Sequence, residues 1–357
     1  MEIGIVGLPN VGKSSLFNAL TGAGIAAENF PFTTIEPNIG VVPIPDERLN
    51  VLAEKNKSQK IVPSGIRFVD IAGLVKGASQ GEGLGNKFLG NIRAVDAIVH
   101  VVRCFRDENV VNVLNELNPQ NAAEIINTEL LLCDLQQAQN AADRIRNSAK
   151  TGNKDAQAKY VILEDLIKGF NEGKPVRLQA VDQSVIAEYQ FLTSKPVLYV
   201  ANIDEGARDE SLINPLKEFA AQEKAGFVEI CTKLESEILE LPPEERKSYY
   251  DSAGIVTPGL GRLAKEGQKL LNQIAFFTAG PQETRSWLIP AGTKAAKAAG
   301  KIHTDIERGF IRAEIYSFDN LVALGTYQAI QAKGLVALEG KDYEIKDGDV
   351  VYFRFSV

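Results

Sequence analysis

The chain has 357 residues, 45% of them hydrophobic, and a formal net charge of -7. A chain of this length and composition buries at least one large core and divides into two or three domains, which excludes a disordered tail and a mini-protein. The acidic balance argues against a protein that coats nucleic acid non-specifically, so any contact with RNA is expected to be local.

The cysteines and the start of the chain indicate the compartment. Cys104, Cys133 and Cys231 stand singly in apolar or helical sequence, without the spacing of disulfides or zinc ligands. No signal-peptide pattern follows Met1, and no stretch approaches the roughly 20 apolar residues that span a bilayer. We expect a soluble, cytoplasmic monomer with reduced thiols and no membrane partner.

The first elements predict an α/β domain. A short apolar run at 3–7 ends in a glycine-rich turn, and helical spacing follows over 11–20. Further apolar runs each end near polar or charged residues, which predicts core strands with a functional rim at their carboxyl ends. These runs lie at 39–42, 66–69, 97–102 and 197–200.

A change of pattern predicts a helical insertion over 128–194. Apolar residues recur there at alternating steps of four and three, which is typical of a coiled-coil seam. They are Leu131, Leu135, Ala138, Ala142 and Ile145. Turn residues at 150–154 break the helix, and Ile162 and Leu166 resume its period. We therefore expect an antiparallel hairpin, then a third helix through 185–191 that leads back to the sheet.

The carboxyl-terminal sequence predicts a helix from Leu260 to about Asn272 and then a small α+β module. Short strands are expected there at 311–315, 335–338 and 350–355. Because strand-like sequence resumes at Pro196, the helical segment interrupts the first domain instead of following it. The predicted division is a discontinuous α/β domain (1–127 and 195–275), the insertion (128–194) and the module (276–357).

Residues 7–14 match the motif G-x-x-x-x-G-K-[ST] between a predicted strand and a predicted helix. Glycines let successive backbone N–H groups point at phosphate, and a helix N-terminus adds positive potential. Lys13 is predicted to neutralise the β and γ phosphates, and the Ser14 hydroxyl to be a ligand of Mg²⁺. The motif thus predicts a P-loop site for a nucleoside triphosphate with Mg²⁺.

Two further segments fit the switch elements of such a site. Asp70 and Gly73 form a D-x-x-G motif, in which the carboxylate holds a water on Mg²⁺ and the glycine backbone senses the γ-phosphate. Between the motifs, Thr33 or Thr34 is expected to supply a hydroxyl to the metal. A threonine with only a structural role in a turn is the alternative.

Together these segments resemble the Obg-like branch of the translation-factor GTPases and, within it, the YchF/Obg-like ATPase family, over essentially the whole chain. The resemblance is carried by 7–14, 29–34, 70–78 and 81–86. It implies an OBG-type G domain with an inserted antiparallel coiled-coil hairpin and a C-terminal TGS (β-grasp) module, whose signature lies at 300–310. It also favours Thr34 as the switch ligand and a loop that wraps the phosphates with Asn10, Val11, Gly12, Lys13, Ser14 and Ser15.

The base-reading segment departs from the guanine-specific pattern. Guanine-specific relatives carry N-K-x-D after the strand, whereas this chain has Asn202, Ile203, Asp204 and Glu205. Glu205 is one methylene longer than Asp, which displaces it from the paired geometry that rejects adenine. This fits the family's N-x-x-E pattern, which implies a preference for ATP over GTP. Two alternatives stay open: Asp204 reads guanine after a loop shift, or Asn202 is only a turn residue.

The remaining site residues are less specific. Cys231 and Thr232 occupy the place of the S-A-K loop that touches the base in relatives. Leu74 follows the D-x-x-G motif where Ras-like relatives place a water-orienting Gln, so slow intrinsic turnover is expected. His100 lies in an apolar strand, which favours a packed core histidine over a catalytic base. Asn10 either holds a K⁺ beside the phosphates, as in some relatives, or caps the loop.

The leading functional hypothesis is a regulatory ATPase that switches conformation on the ribosome or on structured RNA. The hairpin and the TGS-like module are its expected reading surfaces. A basic set in the module either contacts phosphate or forms a solvated face; it comprises Lys294, Lys297, Lys301, Arg308 and Arg312. The competing hypotheses are a GTP-specific translation GTPase, a small-molecule phosphotransferase and a scaffold that nucleotide merely stabilises.

Overall fold

The computed structural model describes residues 1–25, 38–71, 84–114, 116–206, 208–252, 255 and 257–356. These residues fall into two compact units. The first unit contains 1–22, 38–40, 67–71 and the described part of 84–266. The second unit contains 23–25, 41–66 and 267–356. Thr33, Thr34, Gly73 and Leu74, together with the segments 29–34 and 81–83, lie outside the described residues.

The secondary structure is numbered in chain order. The strands are β1 (Glu2–Val6), β2 (Ile39–Pro43), β3 (Lys60–Val62), β4 (Gly65–Asp70), β5 (Ala97–Arg103), β6 (Val197–Asn202), β7 (Gly226–Ile230), β8 (Gln273–Ala279), β9 (Glu283–Pro290), β10 (Phe310–Ser317), β11 (Ala337–Glu339) and β12 (Asp349–Phe355). The α-helices are α1 (Lys13–Ile25), α2 (Glu47–Asn56), α3 (Leu84–Ala94), α4 (Pro119–Lys150), α5 (Lys154–Asn171), α6 (Gln183–Tyr189), α7 (Glu210–Gln222), α8 (Thr232–Glu240), α9 (Pro243–Ser252), α10 (Gly259–Leu270), α11 (Ala295–Ile302), α12 (Thr304–Arg308), α13 (Phe318–Leu324) and α14 (Tyr327–Ala332).

The first sheet has the strand order β2-β4-β1-β5-β6-β7. Its pairings β1 with β4, β1 with β5, β5 with β6 and β6 with β7 are all parallel. Every residue of β5 and β6 is buried, as expected for parallel strands covered on both faces. Parallel strands bring their carboxyl ends to one edge of a sheet, so the segments that follow β1, β4, β5, β6 and β7 meet there. The strands predicted from the apolar runs are therefore confirmed.

The predicted helical hairpin is present. Helix α4 packs against α5 around a core in which Ala138, Ala142, Leu163 and Leu166 are buried. Asn153 caps the amino end of α5, since its side chain accepts a hydrogen bond from the backbone N–H of Ala156.

Three details of the hairpin differ from the prediction. Helix α4 begins at Pro119 instead of Thr128, because Asn118 supplies a side-chain cap and proline is well suited to the first helical turn. Leu131, Leu135 and Ile145 of the predicted seam are only partly buried. The predicted third helix ends at Tyr189, so Phe191 lies beyond it.

The second unit contains a sheet with the order β11-β10-β12-β8-β9-β3. Its buried core joins strand residues such as Ala313, Ile315 and Val351 to three small residues of α11. These residues are Ala295, Ala298 and Ala299, whose short side chains let the helix approach the sheet closely.

One segment belongs to a unit that the sequence did not suggest. The sequence pattern predicts residues 41–66 in the first domain, yet they group with the second unit. Strand β3 pairs with β9 from Lys60 opposite Glu283 onward. Arg48 of α2 also donates a 2.6 Å hydrogen bond to Asp347. Such pairing between distant segments leaves no local pattern in the sequence, which is why the predicted boundary differs.

Candidate nucleotide-binding site

The loop between β1 and α1 adopts the backbone conformation that a phosphate-binding loop needs. Asn10 and Gly12 have positive φ angles of 61° and 96°. A Cβ atom at Gly12 would lie 2.2 Å from Nδ2 of Asn202. Because both the backbone angle and the neighbouring side chain exclude a larger residue, glycine is required at this position.

Lys13 lies across this loop. Its Nζ donates a 2.6 Å hydrogen bond to the carbonyl oxygen of Leu8. Burial lowers the pKa of Lys13, and the charge of Asp70 at the end of β4 opposes that shift. Burial likewise raises the pKa of Asp70, opposed by the charge of Lys13. The two groups are thus near enough for each to favour the other's ionised form, which links the P-loop lysine to the D-x-x-G carboxylate.

A cavity of about 490 Å³ opens beside the loop. Its lining includes eight of the predicted nucleotide-contacting residues: Asn10, Gly12, Lys13, Ser14, Ser15, Asn202, Ile203 and Thr232. The structure therefore brings together the phosphate loop, the segment after β6 and the start of α8. Val11, Asp70, Glu205 and Cys231 do not belong to this lining.

Asn202 connects three segments at the cavity. Its side chain is only 3% exposed. Its Nδ2 donates a 3.0 Å hydrogen bond to the carbonyl oxygen of Val11, and its Oδ1 accepts a 3.1 Å hydrogen bond from the backbone N–H of Thr232. The interpretation of Asn202 as a mere turn residue is therefore wrong, because its buried amide holds the phosphate loop against the amino end of α8.

The two acidic residues after Ile203 occupy different positions. Asp204 lines the cavity, whereas Glu205 is exposed and does not. Oδ1 of Asp204 accepts a 2.8 Å hydrogen bond from the backbone N–H of Glu205. Ile203 is held by its own backbone N–H, which donates to the carbonyl oxygen of Ile230 over 3.0 Å.

Cys231 serves α8 instead of lining the cavity. Its Sγ lies 3.5 Å from the backbone nitrogen of Leu234 and accepts the capping hydrogen bond at the start of that helix. Burial raises the pKa of the thiol. Its neighbours Thr232 and Lys233 are the residues of this segment that reach the cavity.

Sequence reasoning missed the loop after β5. Phe105, Arg106, Asp107 and Val110 also line the cavity. The buried Arg103 holds this loop, donating to the carbonyl oxygens of Phe105 (3.1 Å), Val110 (2.8 Å) and Asp107 (2.8 Å). The available signal was an arginine at the carboxyl end of a buried strand that lies next to β1 in the sheet.

His100 is a core residue, as the sequence favoured. It is 2% exposed, and its ring centroid lies 5.3 Å from that of Tyr199. Burial lowers the pKa of His100 to about 3, so the imidazole is neutral at physiological pH.

The described residues contain no cluster of three or more His, Cys, Asp or Glu side chains suited to a metal ion. Two predicted Mg²⁺ ligands lie within them, the exposed hydroxyl of Ser14 and the carboxylate of Asp70. Both are hard oxygen donors, and Mg²⁺ at phosphate sites takes only one or two protein ligands alongside waters and phosphates. The residues present therefore fit Mg²⁺ that is bound together with a nucleotide.

Two family models match the two ends of this chain, and known relatives match its full length. A family model described as a 50S ribosome-binding GTPase matches residues 2–134. A second model, YchF-GTPase_C, described as a protein of unknown function, matches residues 273–356.

Three relatives match over nearly all of both chains. The ribosome-binding ATPase YchF of Escherichia coli O157:H7 is 50% identical, covering 100% of this chain and 99% of the relative. The same-named protein of Bacillus subtilis (strain 168) is 46% identical over 100% of both. The solved structure of the Schizosaccharomyces pombe YchF GTPase is 33% identical and superimposes with a TM-score of 0.88, covering 99% of this chain and 97% of that one.

Proposed function

Because this chain belongs to the YchF family, we propose that it is a Mg²⁺-dependent P-loop ATPase that cleaves the β–γ phosphoanhydride bond and acts as a switch on the ribosome. The observation that carries the proposal is the junction at Asn202. This residue joins a P-loop with a positive-φ glycine to the start of α8, and both segments line the same 490 Å³ cavity.

The base-reading segment supports ATP over GTP. Ile203 offers no cationic stem, and Glu205 lies outside the cavity lining. Asp204 does line the cavity, but its carboxylate is held by the backbone N–H of Glu205, which donates to Oδ1 over 2.8 Å. The relatives' names differ on this point, since the bacterial proteins are named ATPases and the fission-yeast structure is titled a GTPase.

The residues of the phosphate loop have distinct roles in this proposal. The ammonium of Lys13 leaves the Leu8 carbonyl oxygen and pairs with the β and γ phosphates, while the loop's N–H groups orient them. Ser14, Asp70 and Thr34 would hold Mg²⁺, and Gly73 would contact the γ-phosphate. When bound, Mg²⁺ neutralises negative charge that develops on the transferred phosphoryl group.

A role for K⁺ at Asn10 also belongs to the proposal. In this structure Nδ2 of Asn10 donates a 3.2 Å hydrogen bond to the carbonyl oxygen of Val111. That contact turns the amide nitrogen toward the loop after β5 and leaves Oδ1, the atom that binds cations, available to an ion beside the phosphates.

The basic set of the second unit is a weak phosphate-binding face. Lys294 lies 3.0 Å from Asp342, Lys297 lies 2.5 Å from Glu307, and Arg308 lies 3.9 Å from Asp305. These ion pairs favour the interpretation that the three residues form a solvated surface and do not contact phosphate. Lys301 and Arg312 remain candidate contacts to ribosomal RNA, with the helical hairpin as the second reading surface.

The competing functions have less support. A phosphotransferase needs an acceptor site beside the γ-phosphate, and the lining of the cavity is accounted for by the nucleotide motifs and the loop after β5. A scaffold has no need of the Lys13 and Asp70 pair. No helix in the described part of the chain is long and apolar enough to cross a membrane. The names of the bacterial relatives, which bind ribosomes, support a cytoplasmic location, and we propose a cytoplasmic monomer.

Calorimetric titration of the full chain with ATP and with GTP, both with Mg²⁺, tests the proposed preference for ATP. Tighter binding of ATP is expected, and at least a tenfold preference for GTP would overturn it. Cosedimentation with ribosomes, with and without a non-hydrolysable ATP analogue, tests whether nucleotide controls binding to the ribosome. Equal sedimentation in both conditions contradicts a nucleotide-controlled switch.

A further inference from the structure

A second cavity, of about 550 Å³, opens on the second unit and contains none of the nucleotide motifs. Its floor is the face of β10 and β12 that carries Glu314, Tyr316, Tyr352 and Arg354. Its walls come from Lys55 and Asn56 at the end of α2, the turn at 279–281, and residues of α13 and α14. A volume of this size is typical of ligand sites, which range over about 300–1,000 Å³.

Strand alternation explains why this floor is polar and aromatic. Ala313 and Ile315 of β10, like Val351 and Phe353 of β12, point into the buried core. Alternate residues of each strand therefore point to the opposite face. On that face Tyr352 lies directly opposite Glu314 and is 57% exposed, which leaves a large aromatic surface in contact with solvent.

Arg354 is fixed beside this ring. Its Nε and Nη2 donate to the two carboxylate oxygens of Glu314 over 2.9 and 3.3 Å. The same guanidinium lies 4.3 Å from the centroid of Tyr352. The paired hydrogen bonds hold the flat cation in place, and Nη1 donates to no atom among the described residues.

One wall of the cavity is also held by ring contact. The centroids of Tyr316 and Tyr327 lie 5.6 Å apart. Because Tyr316 belongs to β10 and Tyr327 begins α14, this pair keeps the short helix beside the sheet. The cavity is therefore formed by packed elements and needs no rearrangement to admit a flat ligand.

The charges and hydrogen bonds of the floor select among possible occupants. Strands β10 and β12 pair with each other from Phe310 to Ser317, so their facing backbone groups cannot receive an added peptide strand. The lining carries two cations, Lys55 and Arg354, and one carboxylate that pairs with the second cation. So small a positive excess is insufficient to bind a phosphorylated peptide by charge alone, and stacking must supply most of the affinity.

We propose that this cavity binds an unpaired base of single-stranded RNA, which stacks on Tyr352 while Arg354 Nη1 and Lys55 contact the adjoining phosphate. Aromatic rings that accept splayed bases, flanked by cations that follow the backbone, are how proteins recognise unpaired RNA. The inference deepens the ribosome association proposed above and rests on it.

The test is fluorescence anisotropy of the full chain with a labelled single-stranded RNA octamer of adenosines, compared with a duplex RNA of equal length. Tyr352→Ala is expected to weaken octamer binding about tenfold, since stacking of one base on an aromatic ring contributes about 5- to 150-fold in affinity. Tyr352→Phe keeps the ring and should stay within about twofold of the parent. Ile311→Ala is the matched control, because Ile311 is 60% exposed on β10 and is not part of the lining.

The outcomes separate this inference from the proposed function. Equal octamer affinity of the parent and Tyr352→Ala overturns the inference, as does equal affinity of the parent for duplex and single strand. If Tyr352→Ala loses ribosome cosedimentation but keeps octamer affinity, the face contacts a ribosomal protein and the inference is again wrong. Failure of the parent itself to cosediment with ribosomes counts against the proposed function instead. Unchanged ATP affinity and unchanged thermal unfolding of each variant confirm that the fold is intact.

Discussion

Nδ2 of Asn202 donates a 3.0 Å hydrogen bond to the carbonyl oxygen of Val11, so the strand end that we propose reads the base also holds the proposed phosphate-binding loop. The amide oxygen of the same side chain accepts from Thr232, which extends the connection to α8. The two halves of the site are therefore positioned by one buried amide, and a change at Asn202 should affect phosphate and base recognition together.

Asn202→Ala should lower nucleotide affinity by roughly tenfold or more and the free energy of unfolding by about 1–3 kcal/mol. The reason is that the Thr232 N–H and the Val11 carbonyl oxygen lose their partner in a buried setting. Asn202→Asp can still accept from Thr232 but sets a buried carboxylate oxygen against the Val11 carbonyl oxygen, so a loss at least as large as that of Asn202→Ala is expected. Calorimetry measures the nucleotide affinity, and urea unfolding measures the free energy of unfolding. Unchanged affinity of Asn202→Ala would show that Asn202 is not part of the nucleotide site.

Gly12→Ala should abolish measurable nucleotide binding. Its new methyl group would lie 2.2 Å from Nδ2 of Asn202, and its backbone would have to hold a φ of 96°. Gly152→Ala is the matched control, because Gly152 has a φ of 93° and a Cβ atom added there would meet no atom within 4 Å. That variant carries the backbone strain without the clash and should bind ATP normally. Equal ATP affinity of the two variants would contradict the steric argument.

The combined change Ile203→Lys and Glu205→Asp should shift the ratio of ATP to GTP affinity toward GTP by about tenfold or more, since it restores the guanine-reading pattern. Asp204→Asn should leave the ratio of the parent nearly unchanged, because the Glu205 backbone N–H holds this side chain at its own turn and Asn keeps an oxygen that accepts the same hydrogen bond. Competition binding with a fluorescent nucleotide measures both. A selective loss of GTP binding in Asp204→Asn would assign guanine reading to Asp204.

Ser14→Ala should reduce the gain in nucleotide affinity that Mg²⁺ provides, because a hydroxyl ligand is removed. Ser15→Ala serves as the comparison, since Ser15 also lines the cavity but is proposed to contact phosphate and not the metal. Titrations at several Mg²⁺ concentrations separate the two effects. An identical metal dependence in Ser14→Ala and the parent would assign the ligand role elsewhere.

His100 should make the protein less stable as the pH falls. Its pKa drops from 6.5 in the unfolded chain to about 3 in the fold, so the unfolded state binds the extra proton between these values. The contribution of His100 is therefore fully present above pH 6.5 and is lost below it, at up to about 1.4 kcal/mol per pH unit. His100→Phe, which keeps a ring against Tyr199, should flatten this slope. Urea unfolding of the parent and of His100→Phe at pH 7.5, 6.0 and 5.0 measures how the free energy of unfolding changes with pH. Equal slopes for the two proteins would show that His100 does not cause the loss of stability.

Local patterns in the sequence determined much of this protein. The P-loop motif, the apolar strands and the seam with its turn at 150–154 depend on spacing over a few residues. Such spacing also indicated that Lys13, Ser14 and Asn202 belong to one site, because parallel strands place their carboxyl ends at a common edge.

Only the tertiary structure decided how distant segments meet. It showed that residues 41–66 group with the second unit and that β3 within them completes its sheet, so a variant lacking 276–357 would leave β3 without its partner β9. It placed Asp204 and not Glu205 at the cavity, and it brought the loop held by Arg103 to the same wall. It also exposed Tyr352 beside Arg354 on an open sheet face. In each case the outcome depends on hydrogen bonds and packing between residues far apart in the chain, which spacing within a short window does not encode.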